Sequence, residues 1–185
     1  MEIDCIWQAD APQSLFRQLM WASSLPGVVV DLTAALDGQP AHIGVLATLL
    51  DGTTRLSDPD GLLDETMWSF LQARNVAAHL AQYVIFDASK PPPTDFVPQL
   101  GSLTEPECGA TLVLIGAHVG DGELGLDLTG PGIKGTRRLR LSGFHSAWLA
   151  RRRKWVARFP MGVDVLLTDC ARVAALPRTT QARLL

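Results

Sequence analysis

The sequence FPMGVDVLLTDCARVAALPRTT, residues 159–180, contains two apolar segments separated by Asp169 and Cys170. Residues 162–169 and 172–177 predict two strands joined by a tight turn, and the polar sequence PRTT follows them. Such regular structure is unusual so close to the end of a chain, where residues commonly fray. We therefore expect contacts from elsewhere in the protein to hold this segment in place.

The remaining sequence predicts helices and strands that share one sheet. Continuous apolarity in VVVDL (28–32) favours a strand covered on both faces. Residues 90–98 contain three consecutive prolines and predict a stiff loop. ATLVLIGAHV, GELGLDLTG and RRLRLSGF predict three strands of an antiparallel meander. Further short strands are expected at 53–58 and 83–89, and helices at 10–25, 42–51, 61–74 and 145–157. These elements predict an α/β protein with a mixed sheet.

Composition is that of a soluble globular protein with one domain, residues 1–185. The chain has 185 residues, of which 47% are hydrophobic and 19% charged, and no apolar run is long enough to span a bilayer. Cys5, Cys108 and Cys170 are odd in number and far apart, which favours a reducing cytoplasm. The segment MEIDCIWQAD lacks the features of a signal peptide, so we expect a cytoplasmic protein without a membrane segment.

Charge is unevenly distributed along the chain. Residues 1–92 contain 11 Asp and Glu against 4 Lys and Arg, whereas residues 93–185 contain 8 against 12. A general nucleic-acid-binding protein would be basic overall, so nucleic acid is not an expected partner. A partner subunit or a small anionic ligand fits the asymmetry better.

The sequence LTGPGIKG (128–135) follows a predicted strand and has two interpretations. Backbone amides around Thr129, Gly130 and Gly132 could bind a phosphate, as they do in glycine-rich loops. The sequence matches no established phosphate-binding motif, however, and the preceding GELGLDLTG favours an ordinary glycine turn.

The predicted helix 145–157 carries an arginine within an apolar face. Trp148, Leu149, Trp155, Val156 and Phe159 share one side at helical spacing, and Arg152 falls among them. Trp148, Arg152 and Trp155 could form an interface hot spot with a partner. Alternatively, the face packs on the core and the arginine stem covers the indole rings.

No catalytic centre or metal site is evident from residue types and spacing. Glu105 and Glu107 could act as a carboxylate pair, although solvated loop charges explain them as well. The four histidines have no ligand spacing, so no metal is predicted. No nucleophile motif is present, and none of the three lysines is expected in a desolvated pocket. Catalytic residues therefore remain unassigned.

Four segments in register resemble the PhnH family, the H subunit of the bacterial carbon-phosphorus lyase system. FPMGVDVLLTD with LPRTT resembles its carboxy-terminal signature, and FRQLMWASSLPGVVV (16–30) resembles its amino-terminal helix and strand. PECGATLVL and LTGPGI resemble two central motifs. The segments LQARNVAAHL (71–80) and 151–154 depart from the family pattern.

This resemblance implies a three-layer α/β/α fold similar to pyridoxal-phosphate-dependent transferases but without the cofactor. It also implies a homodimer in isolation and a larger complex with the G, I and J subunits. With the G, I and L subunits, the family is implicated in forming α-D-ribose 1-methylphosphonate 5-triphosphate from ATP and methylphosphonate. We expect a structural, non-catalytic subunit; the alternative is a stand-alone protein that binds ATP or phosphonate.

Within the family reading, the PRTT sequence suggests ligand contacts. Arg178 could bind phosphate or phosphonate through two hydrogen bonds, assisted by the hydroxyls of Thr179 and Thr180. Alternatively, Arg178 pairs locally with Asp164 or Asp169. Arg17 has the same two interpretations.

Overall fold

The structure, a computed structural model, describes residues 10–185 and the side chains of residues 12–185. Residues 1–9, which carry most of the segment behind the signal-peptide prediction and include Cys5, lie outside the described residues. The helices are α1 (Asp10–Ser24), α2 (Thr33–Leu36), α3 (Ala41–Leu49), α4 (Glu65–Leu71) and α5 (Ala147–Trp155). The strands are β1 (Val30–Asp31), β2 (Arg55–Ser57), β3 (Arg74–Asn75), β4 (Tyr83–Asp87), β5 (Thr111–Ile115), β6 (His118–Thr129), β7 (Arg137–Ser142), β8 (Asp164–Thr168), β9 (Arg172–Leu176) and β10 (Gln181–Leu184).

Seven strands form a central mixed sheet in the order β1-β9-β8-β5-β4-β2-β3. Five neighbouring strands, β3, β2, β4, β5 and β8, run parallel to one another. Strand β9 pairs antiparallel with both β8 and β1. This confirms the predicted α/β class with a mixed sheet. The end strands β8 and β9 occupy the interior of the sheet, which explains why the C-terminal segment is ordered.

Alternation along the central strands divides the core between the two faces of this sheet. Ile85, Val113 and Leu166 point towards the layer of α1 to α4, while Phe86, Leu114 and Leu167 point the other way. The second face is covered by α5 and by a three-stranded antiparallel sheet in the order β10-β6-β7. The expected all-helical layer on this face is therefore largely a β layer.

Pairing corrects the predicted meander. Of the three strands in the predicted meander, only β6 and β7 pair with each other, because β5 ends at Ile115 and pairs in parallel with β4 and β8 instead. The third strand of the small sheet is β10, paired with β6 from Gln181↔Thr129 to Leu184↔Leu126. Strand propensity identified the segments of β5, β6 and β7 but carried no information about their partners, and β10 was not predicted.

Asp169 connects the two sheets at the predicted β8-β9 turn. Its Oδ2 accepts the N–H of Val119 in β6 at 2.8 Å, and its Oδ1 accepts the N–H groups of Ala171 and Arg172 at 2.9 and 2.7 Å. Arg172 also forms an ion pair with the buried carboxylate at 2.7 Å. Burial raises the pKa of Asp169, but these hydrogen bonds outweigh it and lower the pKa below its usual value.

Three predicted elements differ in extent or exposure. The strand expected at 28–32 is reduced to β1 at the sheet edge, where Val29 and Val30 are half-buried against opposite faces of the core and Asp31 is exposed. The helix expected at 61–74 starts only after Asp64, whose side chain accepts the N–H of Met67, and ends before Gln72 in a left-handed conformation. Within α1, Leu15 and Leu19 are buried, whereas Phe16 and Met20 are exposed.

None of the helices among residues 10–185 is long and apolar enough to cross a bilayer.

Candidate functional site

A groove of about 1090 Å³ lies between α5 and the last strand, β10. Its volume is slightly above the range of about 300 to 1,000 Å³ that is typical of pockets for small molecules. Its lining is mixed in character but rich in basic side chains. The lining residues are Asp127, Thr129, Thr136, Leu149, Ala150, Arg152, Arg153, Lys154, Val156, Ala157, Gln181, Ala182, Arg183 and Leu184.

Arg152 lies beneath this groove and holds the C-terminal segment. Its side chain is 3% exposed, and its guanidinium donates to the carbonyls of Leu176, Pro177 and Thr180 at 3.2, 2.6 and 3.1 Å. Burial lowers the pKa of Arg152 to about 10, against the opposing effect of the Asp164 charge, so it stays protonated at neutral pH. The buried cation therefore supplies donors to the turn that precedes β10.

The aromatic face of α5 is part of the core. Trp148 and Trp155 are 2% and 8% exposed, and their rings pack against Phe86 and Phe96 with centroids 4.8 and 5.7 Å apart. Trp148 and Trp155 are therefore core residues, as the core-facing alternative predicts, whereas the buried Arg152 guanidinium binds backbone carbonyls. The placement of Phe159 on this apolar face was wrong, since Phe159 lies beyond the end of α5 and is 66% exposed.

Arg178 forms the local pair that the sequence left as one of two alternatives. Its Nη2 lies 2.6 Å from Asp164 Oδ2, and its backbone N–H donates to Asp164 Oδ1 at 2.7 Å. Its Nη1 also donates to the carbonyls of Pro106 and Pro160. A phosphate or phosphonate would have to compete with these contacts to bind Arg178.

The structure brings together only part of the predicted ligand site. Thr129 and Gly130 lie beside Thr179 and Thr180, because β6 pairs with β10 at this end and a Cβ on Gly130 would be 2.9 Å from Thr179 O. Thr180 is fully buried, and its hydroxyl has no hydrogen-bond partner among the described residues. Only Thr129 of this set lines the groove.

Gly132 and Arg17 lie elsewhere. Gly132 has φ +79° and packs so closely on α1 that a Cβ would meet the Ser24 carbonyl oxygen. This packing favours the ordinary-turn interpretation of the loop at this position. Arg17 is exposed on α1 and does not line the groove. The predicted ligand residues therefore do not converge on one site.

The carboxylates and lysines considered as catalytic candidates are exposed to solvent. Glu105 and Glu107 are exposed, which fits solvated loop charges. Lys90, Lys134 and Lys154 are exposed as well, so none lies in a desolvated pocket. Within residues 10–185 no three His, Cys, Asp or Glu side chains are arranged to hold a metal ion.

Sequence reasoning missed the basic character of the groove. Arg153 and Lys154 on α5 and Arg183 on β10 are about thirty residues apart in the sequence, and the strand pairing brings them to one cavity. The only signal available was the basic run 151–154, which departs from the pattern of the resembled family. Periodicity placed Arg152 correctly on the apolar face but could not show the carbonyls that it binds.

Comparison with known proteins matches nearly the entire chain. The model of a family described as "Bacterial phosphonate metabolism protein (PhnH)" matches residues 4–183. A Stutzerimonas stutzeri protein named "Putative C-P lyase subunit protein HtxG" is 42% identical over 180 residues, covering 97% of this chain and 89% of that protein. The chain belongs to the PhnH family of bacterial phosphonate metabolism proteins.

Proposed function

We propose that this chain is a subunit of a carbon-phosphorus lyase system that degrades organic phosphonates. The observation that carries the proposal is the family match over residues 4–183, supported by a relative that is named as a C-P lyase subunit. Together with the G, I and L subunits, the chain takes part in forming α-D-ribose 1-methylphosphonate 5-triphosphate from ATP and methylphosphonate. Its own role in this transferase reaction is structural and non-catalytic.

In this proposal the protein is a cytoplasmic homodimer in isolation and joins the G, I and J subunits in a larger complex. Its fold is related to that of pyridoxal-phosphate-dependent transferases, without the cofactor. An exposed apolar face on α1 supports a role in subunit contacts, since Phe16, Met20 and Trp21 are 47%, 54% and 59% exposed. Exposed aromatic side chains grouped in this way are typical of protein interfaces.

Reconstitution tests whether the reaction requires this chain. The G, I and L subunits are incubated with ATP and methylphosphonate, with or without this chain, and adenine release is followed by chromatography. We expect adenine to form at a substantial rate only when the chain is present. An equal rate without the chain would contradict its participation in the reaction.

The alternative function is a stand-alone protein that binds ATP or phosphonate. The basic groove between α5 and β10 is the observation that favours it. Growth of an H-subunit-null host on methylphosphonate separates the two functions, because restoration by this gene requires the family role. Failure to restore growth, with the folded chain present in the cells, would favour the stand-alone function.

A further inference from the structure

Three cations in the groove between α5 and β10 lack a carboxylate partner. Arg153, Lys154 and Arg183 are exposed, and none forms an ion pair with a residue in the described part of the chain. Asp127, the acidic residue of the lining, is already paired with Arg138 at 3.2 Å. Asp127 also lies opposite Arg183 in the pairing of β6 with β10, so the groove holds four basic side chains against one carboxylate, which Arg138 shares.

The buried Arg152 adds to the positive charge of the groove. Arg152 is held by three carbonyl oxygens and by no carboxylate within ion-pair distance, and its Nε has no hydrogen-bond partner in the described structure. Charges near a low-dielectric wall act more strongly on a ligand than charges surrounded by water. An anion in the groove would thus interact with a buried cation as well as with the three exposed ones.

The walls also provide neutral hydrogen-bond donors. Thr129 at the end of β6, Thr136 before β7 and Gln181 on β10 line the same cavity. Their side chains make no hydrogen bond with residues 12–185. Hydroxyl and amide groups beside Arg and Lys are the combination that recognises phosphate oxygens in proteins.

We propose that the groove between α5 and β10 binds a small molecule that carries two or more phosphate groups. Arg153, Lys154 and Arg183 contact the charged oxygens, and Thr129, Thr136 and Gln181 complete their hydrogen bonding. A volume of about 1090 Å³ accommodates a molecule of nucleotide size. Apart from Thr129, this site uses none of the ligand residues predicted from the sequence, and it does not require the chain to assemble with other subunits.

Calorimetric titration of the purified full-length chain with inorganic triphosphate tests the site. The wild-type protein is compared with Arg183→Gln and with the double variant Arg153→Gln/Lys154→Gln. Because the replaced side chains are exposed, we expect both variants to fold, and thermal unfolding checks this. We expect each to weaken triphosphate binding by at least about tenfold, the usual loss for charge-assisted hydrogen bonds. Arg158→Gln is the matched control, because Arg158 is exposed and outside the groove, and it should change the affinity by less than about twofold.

Three results would overturn the proposal. The first is that triphosphate does not bind at millimolar concentration. The second is that the groove variants and Arg158→Gln lose equal affinity for triphosphate. The third is that a hexaglutamate peptide binds as tightly as triphosphate, which would assign the groove to an acidic peptide instead. The groove variants are also mixed with the G, I and J subunits. Variants that assemble but do not bind triphosphate leave the subunit function standing, whereas a chain that binds triphosphate but never assembles contradicts that function alone.

Discussion

Arg152 determines the conformation of the segment between β9 and β10. A single guanidinium satisfies carbonyls of three residues in this turn, all within a buried environment. Buried carbonyls that lose their donor cost free energy even when the replaced side chain has the same shape. The residue therefore acts on stability through the backbone groups of a distant turn.

Arg152→Met should destabilise the protein by about 2 to 4 kcal/mol, because methionine fills the space but leaves these carbonyls without a donor. The free energy of unfolding is measured by urea denaturation. Arg153→Met is the matched control, since the neighbouring side chain is exposed, and it should cost less than about 0.5 kcal/mol. Equal costs for the two variants would contradict the role of Arg152.

His42 makes stability depend on pH. Burial lowers its pKa from 6.5 to about 4, although the charge of Asp58 opposes the shift, and its Nδ1 has no partner among the described residues. Since the pKa is lower in the folded state, the unfolded chain takes up the proton first as the pH falls. Stability from this residue is thus complete above pH 6.5 and is lost between pH 6.5 and 4.

The loss amounts to at most about 3 kcal/mol for a shift of this size. Unfolding free energies of the wild type and of His42→Gln, measured from pH 7 to pH 4, test this. The difference between wild type and variant should fall as the pH decreases, because glutamine does not titrate. A difference that stays constant over this range would exclude His42 as the source.

At the scale of elements, sequence patterns predicted most helices and strands but not their pairing. Apolar runs identified the segments of β4, β8 and β9, and the Pro-rich loop 90–98 was correctly placed. The second sheet was missed, because β10 is a short, exposed strand whose partner β6 lies more than fifty residues earlier. Short strands such as β3 are stabilised by neighbours rather than by their own composition.

The loop between β6 and β7 shows what a packed glycine contributes. Gly132 and Gly135 both have positive φ, at 79° and 74°, but only a Cβ on Gly132 would meet backbone, at 2.2 Å from Ser24 O. Gly135→Ala should cost about 1 kcal/mol from the left-handed conformation alone.

Gly132→Ala should cost more, about 3 kcal/mol, because the loop must also move away from α1. Thermal and urea unfolding of the two variants measure the difference directly. Equal losses would show that the loop does not depend on its contact with α1.

At the scale of the whole molecule, most residues of the candidate site could not be predicted from the sequence. Thr129 was the one predicted ligand residue that lines the groove, whereas Arg178 is engaged by Asp164 and Gly132 packs on α1. Assembly of the groove requires β10 to return beside β6 and α5, which no local pattern encodes. Membership of the PhnH family could be predicted from the sequence, because four segments keep the order and spacing of the family pattern along the chain.

The subunit role is tested most directly by mixing the purified chain with the G, I and J subunits from the same source and measuring the mass by light scattering during size exclusion. At micromolar concentration we expect a single species larger than any component, containing all four proteins. A chain that elutes alone as a dimer, with the other three subunits at their own masses, would contradict its function as a subunit of the complex.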